Sequence, residues 1–467
     1  MKRIRIFGKG SRGKTMRPIW ISLLFLASSA MAADQPSKSG PLILSLKRAV
    51  ELALEPEGNA QIRLSDEALK QAQARSTQAL AALLPNFEST LAYRSQTMNL
   101  KANGLQVNIP TLPGTSFSFP SLVGPFSVMD ARITGSQSVF DFSTIRRFQA
   151  SRAGISAARL DMNNAEEQVA ARVARAYLSA IRADTDVETA QANVTLSQAV
   201  LAQAEDQKRA GAGTGIEITR ARVQLANDRQ RLLVAENARR RAHLQLLRVM
   251  DLQLDTELEL TDKLGYVPVD EVTLEQAKAQ SLATRPDLRA QQEREASARL
   301  SASATKLERL PALGVFGDYG DIGTGWGNAR PTRTYGLTLR VPIFDGGRRD
   351  ARRSEAASQY RAEKVRTDDL KSQIELDVRL ALDALHSAEE QIKVARDGLE
   401  LAENELAQAR RRLDAGVAFS LEVTDAQTRL ERARDNQTEA LYNYNLARID
   451  LEQAMGIVRN RVADQNK

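Results

Sequence analysis

Apolar residues recur at heptad spacing over two long stretches of the chain, 146–250 and 348–455, neither of which contains a proline. Large and small residues alternate along each stripe, and alanine at alternate core positions lets two helix backbones approach closely. A short glycine-containing segment interrupts each stretch, so the pattern predicts two antiparallel helical hairpins. In the first stretch the stripe comprises Val187, Ala190, Val194, Leu201 and Ala204 before the interruption and Ile218, Ala221, Leu225, Leu232 and Ala235 after it.

The two stretches belong to an internal duplication. Residues 209–225 align with 414–430 without a gap, residues 138–141 with 342–345, and residues 83–85 with 309–311. Each half therefore has a helix ending in Leu-Pro, a β-like segment ending in Phe-Asp, a very long helix, a tip and a returning helix. The returning helix 216–250 is about half the length of helix 146–209, so a helix over about 272–308 is expected to pair with the remainder.

Between the Leu-Pro and Phe-Asp motifs the periodicity changes from helical to two. Apolar and polar residues alternate from Tyr335 to Ile343, with weaker alternation over 87–94, 131–142 and 313–319. We predict two strands in each half, with one apolar and one polar face. Four strands cannot close a transmembrane barrel, for which about eight is the known minimum, so several chains must share one barrel if these strands meet lipid.

Charge and cysteine content narrow the class of protein. The chain of 467 residues has a net charge of +7, but its first 32 residues carry seven basic residues and no acid, which leaves 58 of each sign in the remainder. The remainder has no basic surplus to bind nucleic acid. A basic start, an apolar run over 19–27 and an Ala-x-Ala site ending at Ala32 predict a secretory signal peptide. With no cysteine, disulfides, thiolate metal sites and a lipid-anchor cysteine are excluded.

Four motifs resemble those of the TolC-type outer-membrane efflux protein family, also called outer membrane factors. SLATRPDLR at 281–289 resembles the helix that opens the family's repeat, and RLPAL at 309–313 resembles its helix-to-strand junction. VPIFDGG at 341–347 resembles the strand-to-helix junction, and LDAGVAFSLEVTDAQ at 413–427 resembles the tip. The resemblance covers both halves, about residues 44–456.

The resemblance implies a mixed fold: an outer-membrane β-barrel shared by a homotrimer, with about four strands per chain, joined to a long α-helical periplasmic tunnel. It implies a passive exit channel for small molecules, supplied by an inner-membrane pump through a periplasmic adaptor. A channel of a type I protein secretion system is the alternative within this class. A periplasmic adaptor and a coiled-coil scaffold are alternatives from other classes.

The resemblance also assigns candidate positions. It puts acidic residues at the tunnel entrance, here Glu217, Glu422 and Asp425, although first-turn acids favoured by the helix dipole are the alternative. Further candidates are the tip glycines Gly211 and Gly416 for adaptor contact or simply for a turn, Arg220 and Arg222 for a latch or a solvated face, and Arg340 and Arg132 for the barrel lumen.

No motif of an enzyme, cofactor site or metal site is found, and we expect none. The glycine-rich segment 323–327 is expected to be a loop between strands, and His243 and His386 are expected to lie on the surface. The predicted organisation is a signal peptide at 1–32, a first repeat at 33–250, a linker at 251–271, a second repeat at 272–456 and a polar tail at 457–467.

Overall fold

The computed structural model describes residues 41–55, 58–102, 104, 121–211, 213–269, 272–415, 417 and 420–464. The first half contains β1 (Leu42–Leu44), α1 (Leu46–Leu54), α2 (Ala60–Ala81), β2 (Asn86–Asn99), β3 (Leu122–Phe140), α3 (Phe142–Arg209) and α4 (Gly215–Val249). It is followed by β4 (Leu258–Leu260), α5 (Leu274–Thr284), α6 (Pro286–Leu307), β5 (Ala312–Gly323), β6 (Arg330–Arg340), α7 (Arg348–Asp414), α8 (Ser420–Ala454) and α9 (Val458–Asp464).

The two long helices each pair with shorter helices, as the lengths predict. α3 contacts α4 on the side of the tip and α2 and α6 on the side of the strands, and α7 contacts α8 and α6. The predicted stripes form the core of these hairpins. Near the second tip the buried cluster comprises Ala402, Leu406, Ala409, Val423, Ala426 and Leu430. The alternation of large and small residues therefore packs as expected.

The predicted helix over 272–308 is wrong in one respect, because it is two helices that meet at Arg285 and Pro286. Proline has no backbone N–H and disfavours helical geometry in the residue before it, so α5 ends and α6 begins here. The Arg285 side chain is largely buried and donates to the carboxylates of Asp287 and Asp377. The break directs α5 against α7 while α6 lies between α3 and α7.

The segment between the repeats is more ordered than a linker. β4 pairs in parallel with β1, and the pattern did not predict this small sheet. Two buried tyrosines hold the segment: the Tyr177 hydroxyl lies 2.9 Å from the Leu44 carbonyl oxygen and 2.8 Å from Asp262, and the Tyr444 hydroxyl donates to the Val267 carbonyl at 2.7 Å. The first and second repeats are thus joined by hydrogen bonds as well as by the chain.

The segment 457–467, predicted to be a polar tail, begins with buried residues rather than solvent-exposed ones. It begins with α9, and Ile457 and Val458 are buried. Glu167 of α3 accepts a hydrogen bond from the Arg459 backbone N–H at the start of α9. Among the described residues, no helix has the length and apolar character required to cross a membrane.

Candidate functional site

The four strands β2, β3, β5 and β6 form one antiparallel sheet in that order, two from each repeat. Because side chains alternate between the faces of a sheet, the register determines which residues share a face. Arg132 lies opposite Thr90 and Gly320, and Ile133 lies opposite Ser89 and Tyr319. One face carries the exposed apolar side chains of Phe87, Leu91, Tyr93, Ile133, Tyr319, Tyr335, Leu337 and Leu339.

The opposite face is polar and carries both arginines predicted for the lumen. Arg132 donates two hydrogen bonds of 2.7 Å to Asp130, which lies on the same strand and face, and a longer one of 3.4 Å to Asp318 on β5. Arg340 is the last residue of β6 and is exposed. The structure brings these two arginines to one face of the sheet, as a lumen position requires, and leaves the role itself a prediction.

The strands differ in extent from the predicted segments. β2 and β5 extend beyond both ends of the alternating patterns, and β3 begins before its pattern but ends at Phe140, so residues 141 and 142 lie outside it. β6 ends at Arg340, so residues 341–343 lie outside it. Pro342 cannot donate to a ladder, which accounts for the end of the strand. The glycine-rich segment 323–327 joins β5 to β6, as expected of a loop.

The Phe-Asp motifs have a clear structural role at the start of each long helix. The Asp141 carboxylate accepts hydrogen bonds from the backbone N–H groups of Ser143 and Thr144, and Asp345 accepts one from Arg349. Each aspartate satisfies N–H groups that have no partner within the helix. The matched motifs therefore mark the start of a long helix in both repeats, although Asp141 is itself the N-cap residue of α3 and Gly347 is that of α7.

The tips are the second candidate site. Gly211 has a φ of +77°, in the region that favours glycine, and open space lies where a side chain would begin. The Glu217 carboxylate accepts a hydrogen bond of 2.8 Å from the Thr214 backbone N–H in a capping box, so it stabilises the start of α4 in this chain. Gly416 lies outside the described residues.

The second tip carries the other predicted acids. Glu422 lies in the first turn of α8, 3.7 Å from the Arg412 guanidinium, and Asp425 is exposed. Arg222 pairs with Glu205 of α3 at 3.0 Å, within its own hairpin, and Arg220 is exposed and forms none of the ion pairs of the described residues. Arg222 is therefore paired within its own hairpin, whereas Arg220 lines a cavity that Leu421 and Thr424 of α8 also line.

A different ion pair joins the hairpins, and the sequence pattern did not predict it. The Arg231 guanidinium of α4 donates to the Glu431 carboxylate of α8. On α4 the buried Asp228 accepts a hydrogen bond from the Ser197 hydroxyl of α3. Positions 197 and 228 both fall on the predicted core stripes, where apolar residues are expected. The polar residues at these two positions were therefore the sequence feature that could have indicated a buried hydrogen bond between α3 and α4. Nothing in the sequence indicates that Arg231 reaches a helix 200 residues away.

Burial raises the pKa of three acidic side chains around this ion pair. It raises the pKa of Glu431, although Arg231 lowers it, and it raises the pKa of Asp435 on α8 and of Asp186 on α3. Desolvation disfavours a carboxylate more than its protonated form, which accounts for the direction. These three carboxyl groups therefore take up protons at a higher pH than exposed carboxyl groups do.

The histidines differ from each other. His386 is exposed as predicted, but His243 is half-buried and its Nε2 lies 3.0 Å from the Asp184 carboxylate. The expectation of a surface position was wrong for His243, because α4 packs against α3 at this level. Within the described residues, no group of three or more histidine and acidic side chains could hold a metal ion.

An apolar-faced sheet built from two repeats and continued by long helical hairpins defines the class of outer-membrane channel proteins. The sequence matches the family described as Outer membrane efflux protein over residues 53–250 and 278–457. The chain belongs to this family. Both its fold class and its place in the cell outer membrane, with the helical part in the periplasm, agree with the expectations from the sequence.

Known relatives support the assignment. The chain is 26% identical over 396 residues to the pyoverdine export outer membrane protein OpmQ of Pseudomonas putida, covering 83% of this chain and 81% of the relative. It is 23% identical over 319 residues to the alkaline protease secretion protein AprF of Pseudomonas aeruginosa, covering 66% and 65%. The CmeC outer membrane channel of Campylobacter jejuni has the same fold, with a TM-score of 0.74, 17% identity and coverage of 88% of this chain and 85% of CmeC.

Proposed function

We propose that three copies of this chain form one outer-membrane exit channel, each contributing four strands to a twelve-stranded barrel. The sheet carries the argument: one face is apolar, the other is polar, and the strands at its edges, β2 and β6, each pair on one side only among the described residues. Exposed edges of this length would otherwise favour aggregation. Pairing β6 of one copy with β2 of the next removes the edges and places the polar face around the lumen.

The helices support the same assembly. α4 and α7 expose apolar side chains away from their own hairpin partners, at Val223, Val234 and Leu244 on α4 and Leu380, Val394 and Leu401 on α7. A neighbouring copy would cover these stripes. The helices would then continue the barrel as a periplasmic tunnel.

The tips are proposed to face a periplasmic adaptor, with Gly211 and Gly416 at the contact. At the tunnel entrance Glu422 and Asp425, with Glu217 in a lesser role, would favour cations. Arg132 and Arg340 would line the lumen, and Arg220 and Arg222 remain candidates for a latch between copies. An inner-membrane pump would supply the energy, so the chain itself needs no catalytic residue, no cofactor and no nucleic acid.

The cargo is proposed to be small molecules, such as drugs or other toxic compounds. The relatives include a protein named for pyoverdine export and another named for alkaline protease secretion. Protein secretion is therefore the alternative for this chain. Membership of the family argues against the adaptor and scaffold alternatives.

The domain boundaries are part of the proposal. We propose that the signal peptide 1–32 is removed, that 33–250 and 272–456 are the repeats, that 251–271 joins them, and that 457–467 follows the second. Sequencing the N-terminus of the protein purified from the envelope would test the first boundary, with Ala33 as the expected first residue.

The channel is tested by fractionating cells and measuring the native mass of the protein from each fraction. We expect a trimer that requires detergent, found in the outer membrane, and ion conductance when this trimer is added to a planar bilayer. A monomer or dimer in the soluble fraction would contradict the proposal. Bilayer insertion without conductance would contradict the channel but not the trimer.

A further inference from the structure

The junction between the strands and the long helices combines exposed apolar residues with arginines. After β6 ends, Ile343 and Phe344 are 93% and 86% exposed, and Phe140 and Phe142 occupy the matching junction in the first repeat at 56% and 49%. Apolar side chains this exposed indicate a contact that a single chain in water does not provide.

The residues that follow are basic in both repeats. Residues 340–353 contain five arginines and two aspartates, and residues 141–152 contain three arginines and one aspartate. The chain beyond the signal peptide has 58 basic and 58 acidic residues in all, so the junctions carry a local positive charge that the chain as a whole does not.

These arginines occupy an electrostatically unfavourable place. Arg348, Arg349, Arg352 and Arg353 lie in the first two turns of α7, where the positive end of the helix dipole favours acids and disfavours cations. Only part of this charge is compensated within the chain: Arg349 pairs with Asp345, and Arg352 pairs with Glu308. The side chains of Arg348, Arg353 and Arg146 are exposed and appear in none of the ion pairs of the described residues.

The helix geometry places the uncompensated arginines on both sides of α7. Arg349 and Arg352 form ion pairs within the chain, so they mark the side of α7 that contacts the rest of the chain. Successive residues on a helix are rotated by about 100° around its axis. Arg348 and Arg353 therefore project from opposite sides of the face that contacts the chain. In a single layer of helices, one of them faces outward and the other faces the lumen.

We propose that this junction is a binding site for an anionic phospholipid of the periplasmic leaflet. The exposed apolar side chains would contact the acyl chains. The outward arginine of α7 at the second junction, and Arg146 at the first, would each bind a headgroup phosphate. Basic residues beside an apolar membrane segment attract anionic lipids in this way. The site requires an outer-membrane location and does not require conduction.

Native mass spectrometry of the full protein in mild detergent tests the site, with phosphatidylglycerol and phosphatidylcholine of identical acyl chains added separately. We expect phosphatidylglycerol to be retained in preference to phosphatidylcholine. Arg348→Gln and Arg353→Gln are made singly, and one of them, the outward one, should reduce retention by about fivefold. Arg410→Gln, an exposed arginine near the tip, is the matched control and should change nothing.

Equal retention of the two lipids, or unchanged retention in both arginine variants, would overturn the proposal. The same spectra report the trimer, so loss of assembly is distinguished from loss of lipid. Excess inorganic phosphate should not displace the lipid, because the acyl contacts are part of the site. Displacement by phosphate alone would show a simple anion site and would overturn the phospholipid assignment.

A second measurement tests the apolar half of the site. The sequence has two tryptophans, Trp20 in the predicted signal peptide and Trp326 in a short 3-10 helix between β5 and β6. In a Trp326→Phe background, Ile343→Trp provides a single reporter, and phospholipids brominated near the headgroup should quench its fluorescence more than those brominated at the chain end. Absence of quenching would mean that protein covers this position and would overturn the lipid contact.

Discussion

The Arg231 guanidinium of α4 is hydrogen-bonded to the Glu431 carboxylate of α8, and this ion pair joins the two hairpins. Its surroundings are asymmetric, because the Glu431 side chain is nearly buried whereas more than half of the Arg231 side chain is exposed. Removing the arginine would therefore leave an acid with little access to water.

We expect Arg231→Leu to reduce the free energy of unfolding by about 1–3 kcal/mol, because Glu431 would lose its partner while remaining buried. Glu431→Gln in the same chain should restore most of the loss. Urea denaturation of both single variants and the double variant gives the coupling energy. A double variant whose loss equals the sum of the two single losses would show that the pair does not hold the hairpins together.

The raised pKa values of Asp186 and Asp435 predict a pH dependence. A carboxyl whose pKa is higher in the folded than in the unfolded state binds protons more strongly when folded, so its contribution to stability grows as pH falls from neutral toward its ordinary pKa and is lost as pH rises. Asp186→Asn should therefore raise the melting temperature at pH 7.5, and the difference from the unmodified chain should shrink near pH 4. The exposed Asp397→Asn is the control. A constant difference across this range would contradict the assignment.

The two faces of the sheet can be told apart with adjacent substitutions. Leu337 lies on the apolar face of β6 and Thr338 on the polar face. An arginine facing hydrocarbon costs up to about 2–4 kcal/mol, whereas one facing the lumen does not. Leu337→Arg should reduce the amount of trimer in the outer membrane, and Thr338→Arg should leave it unchanged. If Thr338→Arg rather than Leu337→Arg reduced the amount of trimer in the outer-membrane fraction, the polar face and not the apolar face would be the one that contacts lipid.

Selectivity at the tunnel entrance is tested with Glu422→Gln and Asp425→Asn. We expect the double variant to lose cation preference, measured as a shift of the reversal potential in a salt gradient across a planar bilayer. Glu217→Gln should have a smaller effect, because the Glu217 carboxylate is directed at the Thr214 backbone N–H at the start of α4. Glu400→Gln, an exposed acid on α7, serves as the control. An unchanged reversal potential in the double variant would show that Glu422 and Asp425 do not determine ion selectivity at the tunnel entrance.

Gly456 and Gly346 have nearly the same backbone conformation but different surroundings, so substituting each by alanine distinguishes backbone strain from steric contact. Gly456 and Gly346 have φ values of +68° and +69°, but a Cβ at Gly456 would lie 3.0 Å from the Arg285 Cα, and one at Gly346 would contact nothing within 4 Å. Alanine at either position should cost about 1 kcal/mol from the conformation alone. Gly456→Ala should cost more, because two backbone segments would have to separate. Equal melting temperatures would show that the contact relaxes freely.

Local patterns in the sequence determined much of this protein. The heptad stripes determined the helices and their cores, because burial of one helix face requires that spacing. The alternation near Tyr335 determined a two-faced strand, and the aligned Phe-Asp motifs at Asp141 and Asp345 marked both helix starts. The helix break at Arg285 also has a local cause, the proline that follows it, although the heptad pattern continues across it.

The tertiary structure decided which distant residues meet. β1 and β4 are only three residues long, so no periodicity could reveal their pairing. Arg231 and Glu431 come together only because α4 and α8 both pack against α3, and His243 is half-buried only because α3 passes beside it at Asp184. Periodicity reports which face of an element is buried, since that is a local property of the chain. It does not report the partner, because the partner is chosen by the packing of elements far apart in sequence.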